Sequence, residues 1–196
     1  SNQTTSPKII KSGESAYISW IDGRHFLFGD LPYLQRVDIE TGEPQWEYQG
    51  NILYPAYLEV DEPSNFRMYG QVDIVSDQSG GVIAAWTKEH IVAQRVNADG
   101  SFEWGNIGIS LFGEGEFDFS SASCSQNLFS DNEGGAVLVV EIRKHVDNGR
   151  QIRLQRIDSN GRMLLGEQGI CVMENQGDPH GLSMKAIQLS DGNFLI

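Results

Sequence analysis

Short apolar runs alternate with glycine-containing polar turns along most of the chain. The alternation is clearest between residues 77 and 108, where apolar runs at 82–86 and 91–96 are followed by a run at 101–104 that ends in Trp104. Asp-Gln-Ser-Gly-Gly precedes the first run, and Asn-Ala-Asp-Gly separates the second from the third. Asp and Gly tolerate positive φ, whereas β-branched and aromatic residues favour strands. The pattern therefore predicts antiparallel strands joined by two tight turns and one loop.

The same pattern recurs upstream and downstream of this stretch. We predict four units, at about 14–50, 70–112, 126–172 and 187–196, and the last of them is only begun. Residues 1–13 are polar apart from one apolar pair, and we predict that they form a leader able to add an edge strand.

Three Gln-Arg pairs, each followed by Val or Ile, mark equivalent positions in the units and allow them to be aligned. A glycine follows each glutamine by six or seven residues, and a large apolar residue stands four residues after each glycine. The three sets are Gln35, Gly42 and Trp46; Gln94, Gly100 and Trp104; and Gln155, Gly161 and Leu165. The glutamines lie 59 and then 61 residues apart, which is near the length of a four-stranded propeller blade. The sequence therefore predicts an all-β fold, a β-propeller of four-stranded antiparallel blades with about three blades and the start of a fourth.

The segment from Arg36 to Trp46 resembles the tryptophan-docking motif of pyrroloquinoline-quinone-type β-propellers, in which an Asp and a Thr-Gly turn precede a Trp that packs between blades. Arg36 stands where that motif has a small residue. The wider order of Gly-Gly, apolar strand, Trp, Gln-Arg-Val, Gly and Trp-Gly looks like the repeat of secreted bacterial propellers, often found in large cell-surface proteins of Bacteroidetes-like organisms. The resemblance implies an exported protein that is periplasmic, secreted or held at the cell surface.

The repeated positions suit such a fold physically. Glycine pairs at 80–81 and 134–135 permit the positive φ of tight hairpins. We expect Trp46 and Trp104 on outer strands, where each ring covers apolar surface between neighbouring blades. Both faces of a stacked blade are buried, so we expect the three repeat glutamines to hydrogen-bond the adjacent blade.

Three blades and a fraction cannot close a ring, because propellers have at least four blades. The first and last blades would expose strand edges and an apolar face. The sequence also stops within an apolar strand. We therefore expect the remaining blades of the ring to come from the same polypeptide or from a protein partner.

Composition argues against two classes of function. The net charge of −13 over 196 residues repels nucleic-acid phosphates and anionic membrane surfaces. No apolar run reaches the roughly 18 residues that span a bilayer. The first residues lack the cationic and apolar parts of a signal peptide. The same sequence would be seen if a signal peptide had been cleaved off. Cys124 and Cys171 lack metal-ligand spacing, and they form either a structural disulfide or two small apolar fillers.

The tight turns fall on one rim of the predicted propeller and the long connections on the other, where binding residues usually lie. Two of these connections combine aromatic side chains with carboxylates, a mixture that suits recognition of a glycan or a peptide. The candidate ligand-binding residues are Tyr54, Tyr57, Arg67, Tyr69, Glu116, Phe117, Asp118 and Phe119. The alternative is that these loops fold back and pack on the blades.

The sequence predicts no catalytic residue, metal site or cofactor. All four histidines fall on the same rim, but corresponding points of adjacent blades lie too far apart to share one ion. Carboxylates are not paired at a defined spacing, and Gly-x-Ser-x-Gly, phosphate-loop and zinc patterns are absent from the sequence.

Two hypotheses for function follow. The first is a non-catalytic, exported β-propeller module that binds a protein or glycan or forms a structural subunit of a larger surface assembly. The second is part of a secreted propeller enzyme, either a glycan hydrolase or a quinone-type dehydrogenase, whose active residues lie mostly outside this segment.

Overall fold

The computed structural model describes residues 5–24, 30–47, 49–55, 69–87, 90–113, 117–118, 126–144, 149–175, 185–189 and 193–195. The strands of the described residues are β1 (Thr5–Ser12), β2 (Ser15–Asp22), β3 (Leu31–Asp38), β4 (Asn51–Ile52), β5 (Tyr69–Ser76), β6 (Val82–Thr87), β7 (Ile91–Val96), β8 (Ile109–Leu111), β9 (Phe117–Asp118), β10 (Gln126–Ser130), β11 (Ala136–Lys144), β12 (Arg150–Ile157), β13 (Ile170–Asn175), β14 (Ile187–Gln188) and β15 (Phe194–Leu195). Within these ranges no helix is long and apolar enough to cross a membrane.

The strands form three antiparallel sheets and a hairpin. The first sheet has the order β1-β2-β3-β4, the second β5-β6-β7-β8 and the third β10-β11-β12-β13. Strand β9 pairs with the end of β11, where Asp118 lies opposite Arg143. Strands β14 and β15 pair with each other. The repeat glutamines hold equivalent places on the third strand of each sheet, since Gln35, Gln94 and Gln155 lie opposite Ile18, Ala84 and Leu138.

The sheets stack face to face, and β6 shows this most directly. All six of its residues are buried. Val82, Ala84 and Trp86 pack with residues of the first sheet, whereas Ile83 and Ala85 pack with residues of the third. A strand that is buried on both sides needs apolar residues at successive positions, which explains its uninterrupted apolar run.

Strands β1, β5 and β10 are the innermost strands. Each stands first in its sheet, and β5 lies against both β1 and β10. The sheets therefore fan about an axis as blades, and the prediction of an incomplete all-β propeller is confirmed. Beyond the third sheet, Ala186 next to β14 packs with Val139 and Ile152, so this segment lies where a fourth blade begins.

The predicted unit boundaries need two corrections. The predicted leader at 1–13 contributes the edge strand β1, so the first sheet begins at Thr5 and not near residue 14. The fourth strands also begin later than predicted. After each turn the chain makes one isolated bridge, at Val37–Pro44, Val96–Phe102 or Ile157–Met163. A further positive-φ glycine then stands directly before each outer strand, at Gly50, Gly108 or Gly169.

Trp46 and Trp104 consequently lie in the connections before the outer strands and not on those strands, contrary to the prediction. The cause is the bend at the positive-φ glycines of each connection, because a residue with positive φ interrupts the strand.

Candidate functional site

Each repeat tryptophan packs onto the turn glycine of the next sheet. A Cβ added to Gly100 would lie 3.3 Å from the ring of Trp46, and one added to Gly161 would lie 3.0 Å from Nε1 of Trp104. The indole Nε1 of Trp46 also donates to the carbonyl of Ala98 at 3.2 Å. Both glycines have positive φ, of +90° and +82°. Glycine is thus required here for its conformation and for the room it leaves to the indole.

The arginine of each Gln-Arg pair joins its own sheet to the next. Nη1 of Arg36 donates to the carbonyl of Ala98 at 2.8 Å, and Nη1 of Arg95 donates to the carbonyl of Ser159 at 2.9 Å. Both acceptors lie two residues before a turn glycine. Nε of Arg95 also binds the carboxylate of Asp77 at 3.1 Å. One guanidinium therefore fixes a hairpin turn of its own sheet and the neighbouring sheet together.

Asp77 is a buried carboxylate within this contact. Burial alone would raise the pKa of Asp77, but hydrogen bonds from the hydroxyl and backbone of Ser79 and from Arg95 outweigh burial and hold the pKa below its ordinary value. The charged form of the carboxylate is therefore the one that the fold stabilises.

The repeat glutamines bind within their own sheets, so the predicted bond to the adjacent blade is wrong. Oε1 of Gln94 accepts from the backbone N–H groups of Arg95 and Trp104, each at 3.0 Å, and its Nε2 donates to the carbonyl of Gly105 at 2.5 Å. Gln35 and Gln155 make the same three kinds of bond. The bent connection before the outer strand leaves backbone groups without ladder partners, and the buried amide satisfies them.

The first sheet has one side that does not face the second sheet, and we call it the leading face. It carries Ile9, Trp20, Tyr33 and the turn at Gly42. A Cβ added to Gly42 would meet no atom of the described residues within 4 Å, although its φ of +75° resembles those of Gly100 and Gly161. The surface that a tryptophan covers in the other two turns is therefore not covered at Gly42 by any residue that the structure describes.

Trp20 and Trp86 hold equivalent places in the first and second sheets, because each lies opposite the residue two positions before the repeat glutamine. Trp86 is fully buried between sheets, whereas Trp20 is partly exposed. Ile9, on the same side as Trp20, is 67% exposed. The leading face has the composition of an internal interface without a described sheet over it.

An aromatic and cationic cluster occupies the leading face. Trp20 stacks on Tyr33, with ring centroids 5.5 Å apart and planes inclined by 15°. The guanidinium of Arg24 lies 4.8 Å from the centroid of the Tyr33 ring and is bound by Asp22 and Gln49. Burial raises the pKa of Tyr33 to about 12, although Arg24 opposes the shift. Hydrogen bonds from Arg24 lower the pKa of Asp22. Tyr33 is therefore the buried member of the cluster, and Trp20 and Arg24 are its partly exposed members.

The third sheet has a corresponding side that points away from the second sheet, which we call the trailing face. It carries Val139, Ile152, Leu165, Ile170 and Met173. Ala186 covers its inner part, but Ile170 and Met173 remain 50% and 46% exposed. Ile109, the equivalent of Ile170 in the second sheet, packs between the second and third sheets. The outer part of the trailing face is therefore an interface surface without a described neighbour.

Arg36 and Arg95 reach a neighbouring sheet, whereas the described contacts of Arg156 lie within its own sheet. Its Nη2 binds Asp131 at 3.0 Å and Glu133 at 2.6 Å, both within the third sheet. Its Nη1 is the atom that the other two arginines use to reach the next sheet, and it has no acceptor among the described residues.

Lys8, Asp73 and Asn127 hold equivalent places on the three innermost strands, opposite Ser19, Ala85 and Val139. The ammonium of Lys8 contacts the carboxylate of Asp73, whose side chain is only 2% exposed. Burial lowers the pKa of Lys8, whereas the adjacent carboxylate favours the charged ammonium. The pair ties the first two sheets together beside the axis.

Among the eight predicted ligand-binding residues, the structure describes the side chain of Tyr54. It packs against apolar clusters of the first and second sheets, as the alternative of a folded-back loop expects. Tyr69 begins β5, and Phe117 and Asp118 form β9, but their side chains are outside the described part of the chain. The remaining four residues are outside it altogether: Tyr57, Arg67, Glu116 and Phe119.

The histidines and cysteines add no metal site in the described ranges. His90 lies directly before β7, and His25, His145 and His180 lie outside the described residues. No group of three metal-ligating side chains occurs in the part of the chain that the structure describes. Cys171 is free and exposed on β13, so it is not a buried filler, and Cys124 lies outside the described residues.

Sequence reasoning missed the cluster of Trp20, Arg24 and Tyr33. Trp20 precedes its repeat glutamine by 15 residues and Trp86 precedes its own by 8, because the loop between the second and third strands is longer in the first unit. Aligning Ala16 with Val82, the first residues of the two apolar runs, would have brought the two tryptophans into register.

No protein-family model matches the chain, and no curated protein is significantly similar to it. Among solved structures, the chain is similar to a GH43 endo-arabinanase from Bacillus licheniformis, with 14% identity and a TM-score of 0.45 over 90% of this chain. It is also similar to an endo-arabinase from Bacteroides thetaiotaomicron, with 13% identity and a TM-score of 0.46 over 96% of this chain. The chain covers 61% of the first protein and 67% of the second. At these values, nothing about activity or substrate follows from the likeness.

Proposed function

We propose that this chain is a non-catalytic module of an exported β-propeller, which forms a structural part of a larger assembly and a platform for a protein or glycan. The observation that carries the proposal is the turn at Gly42, which no described residue covers, whereas a tryptophan covers the corresponding turns at Gly100 and Gly161. An apolar surface built like an internal interface is a site of association. Further blades or a partner protein are proposed to cover both the leading and the trailing face.

The proposed location outside the cytoplasm rests on the resemblance of the repeat to secreted bacterial propellers. The packing of Trp46 and Trp104 on turn glycines supports the tryptophan-docking part of that resemblance. The proposed ligand surface is the rim that carries the long connections, where Tyr57, Arg67 and Phe119 would contact a peptide or a sugar.

Light scattering coupled to size-exclusion chromatography tests the uncovered faces. The chain is expected to self-associate as its concentration rises, because two interface surfaces remain exposed to water. Replacing Ile170 and Met173 by lysine should reduce the association. Ile107→Lys is the matched control, because Ile107 is also exposed, at 57%, but lies in the second sheet away from both faces. A compact monomer at every concentration would remove the proposal.

A second candidate function is part of a glycan hydrolase, and Asp73 is the observation that favours it. A buried carboxylate next to an ammonium, on an innermost strand, has the surroundings in which glycosidases hold acidic groups. Arabinan hydrolysis by the protein should be abolished by Asp73→Asn or Asp118→Asn if this candidate is correct. Asp30→Asn is the control, since Asp30 is exposed. No hydrolysis, or hydrolysis that both variants leave unchanged, favours the platform.

A further inference from the structure

We infer that the leading face is covered by another propeller sheet, which places an arginine on a backbone carbonyl of the turn before Gly42 and a large apolar side chain over Gly42. This inference rests on the proposed function and names the partner of its first face. It is an interface that continues the two interfaces already present in the chain.

The polar part of the inference follows from the arginine contacts. Arg36 and Arg95 each donate to a carbonyl two residues before the turn glycine of the following sheet. In the first sheet that position is Glu40. The turn of the first sheet is one residue longer, because the N–H of Gly42 donates to a carbonyl four residues back, whereas those of Gly100 and Gly161 donate three residues back. An arginine on a preceding sheet would therefore find its acceptor at Ile39 or Glu40. The arginine must come from the preceding sheet and the acceptor from the first sheet, since each sheet presents its arginine on the trailing side and its acceptor on the leading side.

The apolar part follows from the space above Gly42. A Cβ added to Gly100 would contact the Trp46 ring, and a Cβ added to Gly161 would contact the Trp104 ring. Gly42 adopts the same positive φ but meets no described atom. The positive φ by itself accounts for a glycine at this position. The open space above Gly42 is the place that a tryptophan ring takes at Gly100 and at Gly161.

The breadth of the leading face fits a sheet better than a small ligand. Ile9 near the axis is exposed and Trp20 in the middle is partly exposed along this face, and Ile39 in the outer turn of the same sheet is exposed as well. In the second sheet the matching side carries Trp86 and is covered by the whole of the first sheet. A small ligand would cover one of these positions and leave the others in water.

Photo-cross-linking tests this partner in the full protein produced in its own host. A benzophenone amino acid replaces Ile39, which is 47% exposed beside the turn, and the cross-linked peptide is sequenced by mass spectrometry. The expected peptide contains a Gln-Arg pair, a glycine six or seven residues after the glutamine and a Trp or Leu four residues later. A peptide without this order, or no cross-link, would overturn the inference.

Two further variants separate misfolding from a wrong partner. The same probe at Asp99, in the covered turn of the second sheet, should cross-link to the connection that carries Trp46, which reports a folded interface. Gly42→Leu should lower the cross-link yield from position 39 by about tenfold or more, because its side chain occupies the partner's place. A cross-link to a peptide of another kind from an associated protein refutes this inference alone. A compact monomer with no cross-link at position 39 refutes the proposed function as well.

Discussion

The indole of Trp46 lies on the turn glycine Gly100 of the next sheet, and its Nε1 donates to the carbonyl two residues before that glycine, at 3.2 Å. Trp104 repeats the packing on Gly161. A spacing that looks internal to one unit therefore reflects a contact between two units. The turn glycine of one unit leaves room for the tryptophan of the unit before it.

Gly100→Ala should destabilise the fold more than Gly42→Ala. Both substitutions place a side chain at positive φ, which costs about 1–2 kcal/mol. At Gly100 the new Cβ would also lie 2.7 Å from Nδ2 of Asn51 and 3.3 Å from the Trp46 ring, whereas at Gly42 it meets no described atom within 4 Å. The crowding should add about 1–3 kcal/mol. Urea unfolding of the two variants measures the difference, and equal losses would contradict the packing role of Gly100.

Gln94→Leu should lower the free energy of unfolding by about 2–4 kcal/mol, because buried backbone groups lose their hydrogen-bond partner. The amide of Gln94 is fully buried and satisfies Arg95, Trp104 and Gly105 in the bent connection. Gln45→Leu is the control, because Gln45 is exposed and should change stability by at most about 0.5 kcal/mol. Similar unfolding midpoints for both variants would show that Gln94 has no such role.

The positions that repeat could be predicted from the sequence because each has a strict local requirement. A turn at positive φ needs glycine, so Gly100 and Gly161 mark the turns. A strand buried on both sides needs an unbroken apolar run, so β6 was evident. The same turn glycines and apolar runs predicted the order of three blades and showed that they do not complete a ring.

The partners of these positions could not be predicted. A buried glutamine requires hydrogen bonds, but the sequence does not say whether they come from its own sheet or the next, and Gln94 finds them in its own. The outer strands β4 and β8 have two and three residues, which is too short for a periodic pattern. Ile109 and Ile170 are identical in type, yet one is packed between sheets and the other is 50% exposed.

Stability should fall as the pH is lowered through the acidic range, in part because of Asp77. Its folded-state pKa is below the ordinary value of 3.8, so the unfolded chain binds the proton more readily. The contribution is complete above that ordinary value and is lost as pH falls through the folded-state pKa. Thermal unfolding between neutral pH and strong acid should show a smaller pH dependence for Asp77→Asn. Glu14→Gln, at an exposed carboxyl of the first hairpin turn, is the control. An unchanged profile for Asp77→Asn would exclude this contribution.

Tyr33 should lose its proton at a higher pH than an ordinary tyrosine. Burial raises its pKa to about 12. Because the folded state holds this proton more tightly than the unfolded chain, the stabilising contribution is complete below the ordinary tyrosine pKa, about 10, and is lost as pH rises through the folded-state value. Ultraviolet absorbance of phenolate during alkaline titration should show a late step that Tyr33→Phe removes. A step at the ordinary tyrosine pKa would show that water reaches the phenol and that the stack is not the buried surface described here.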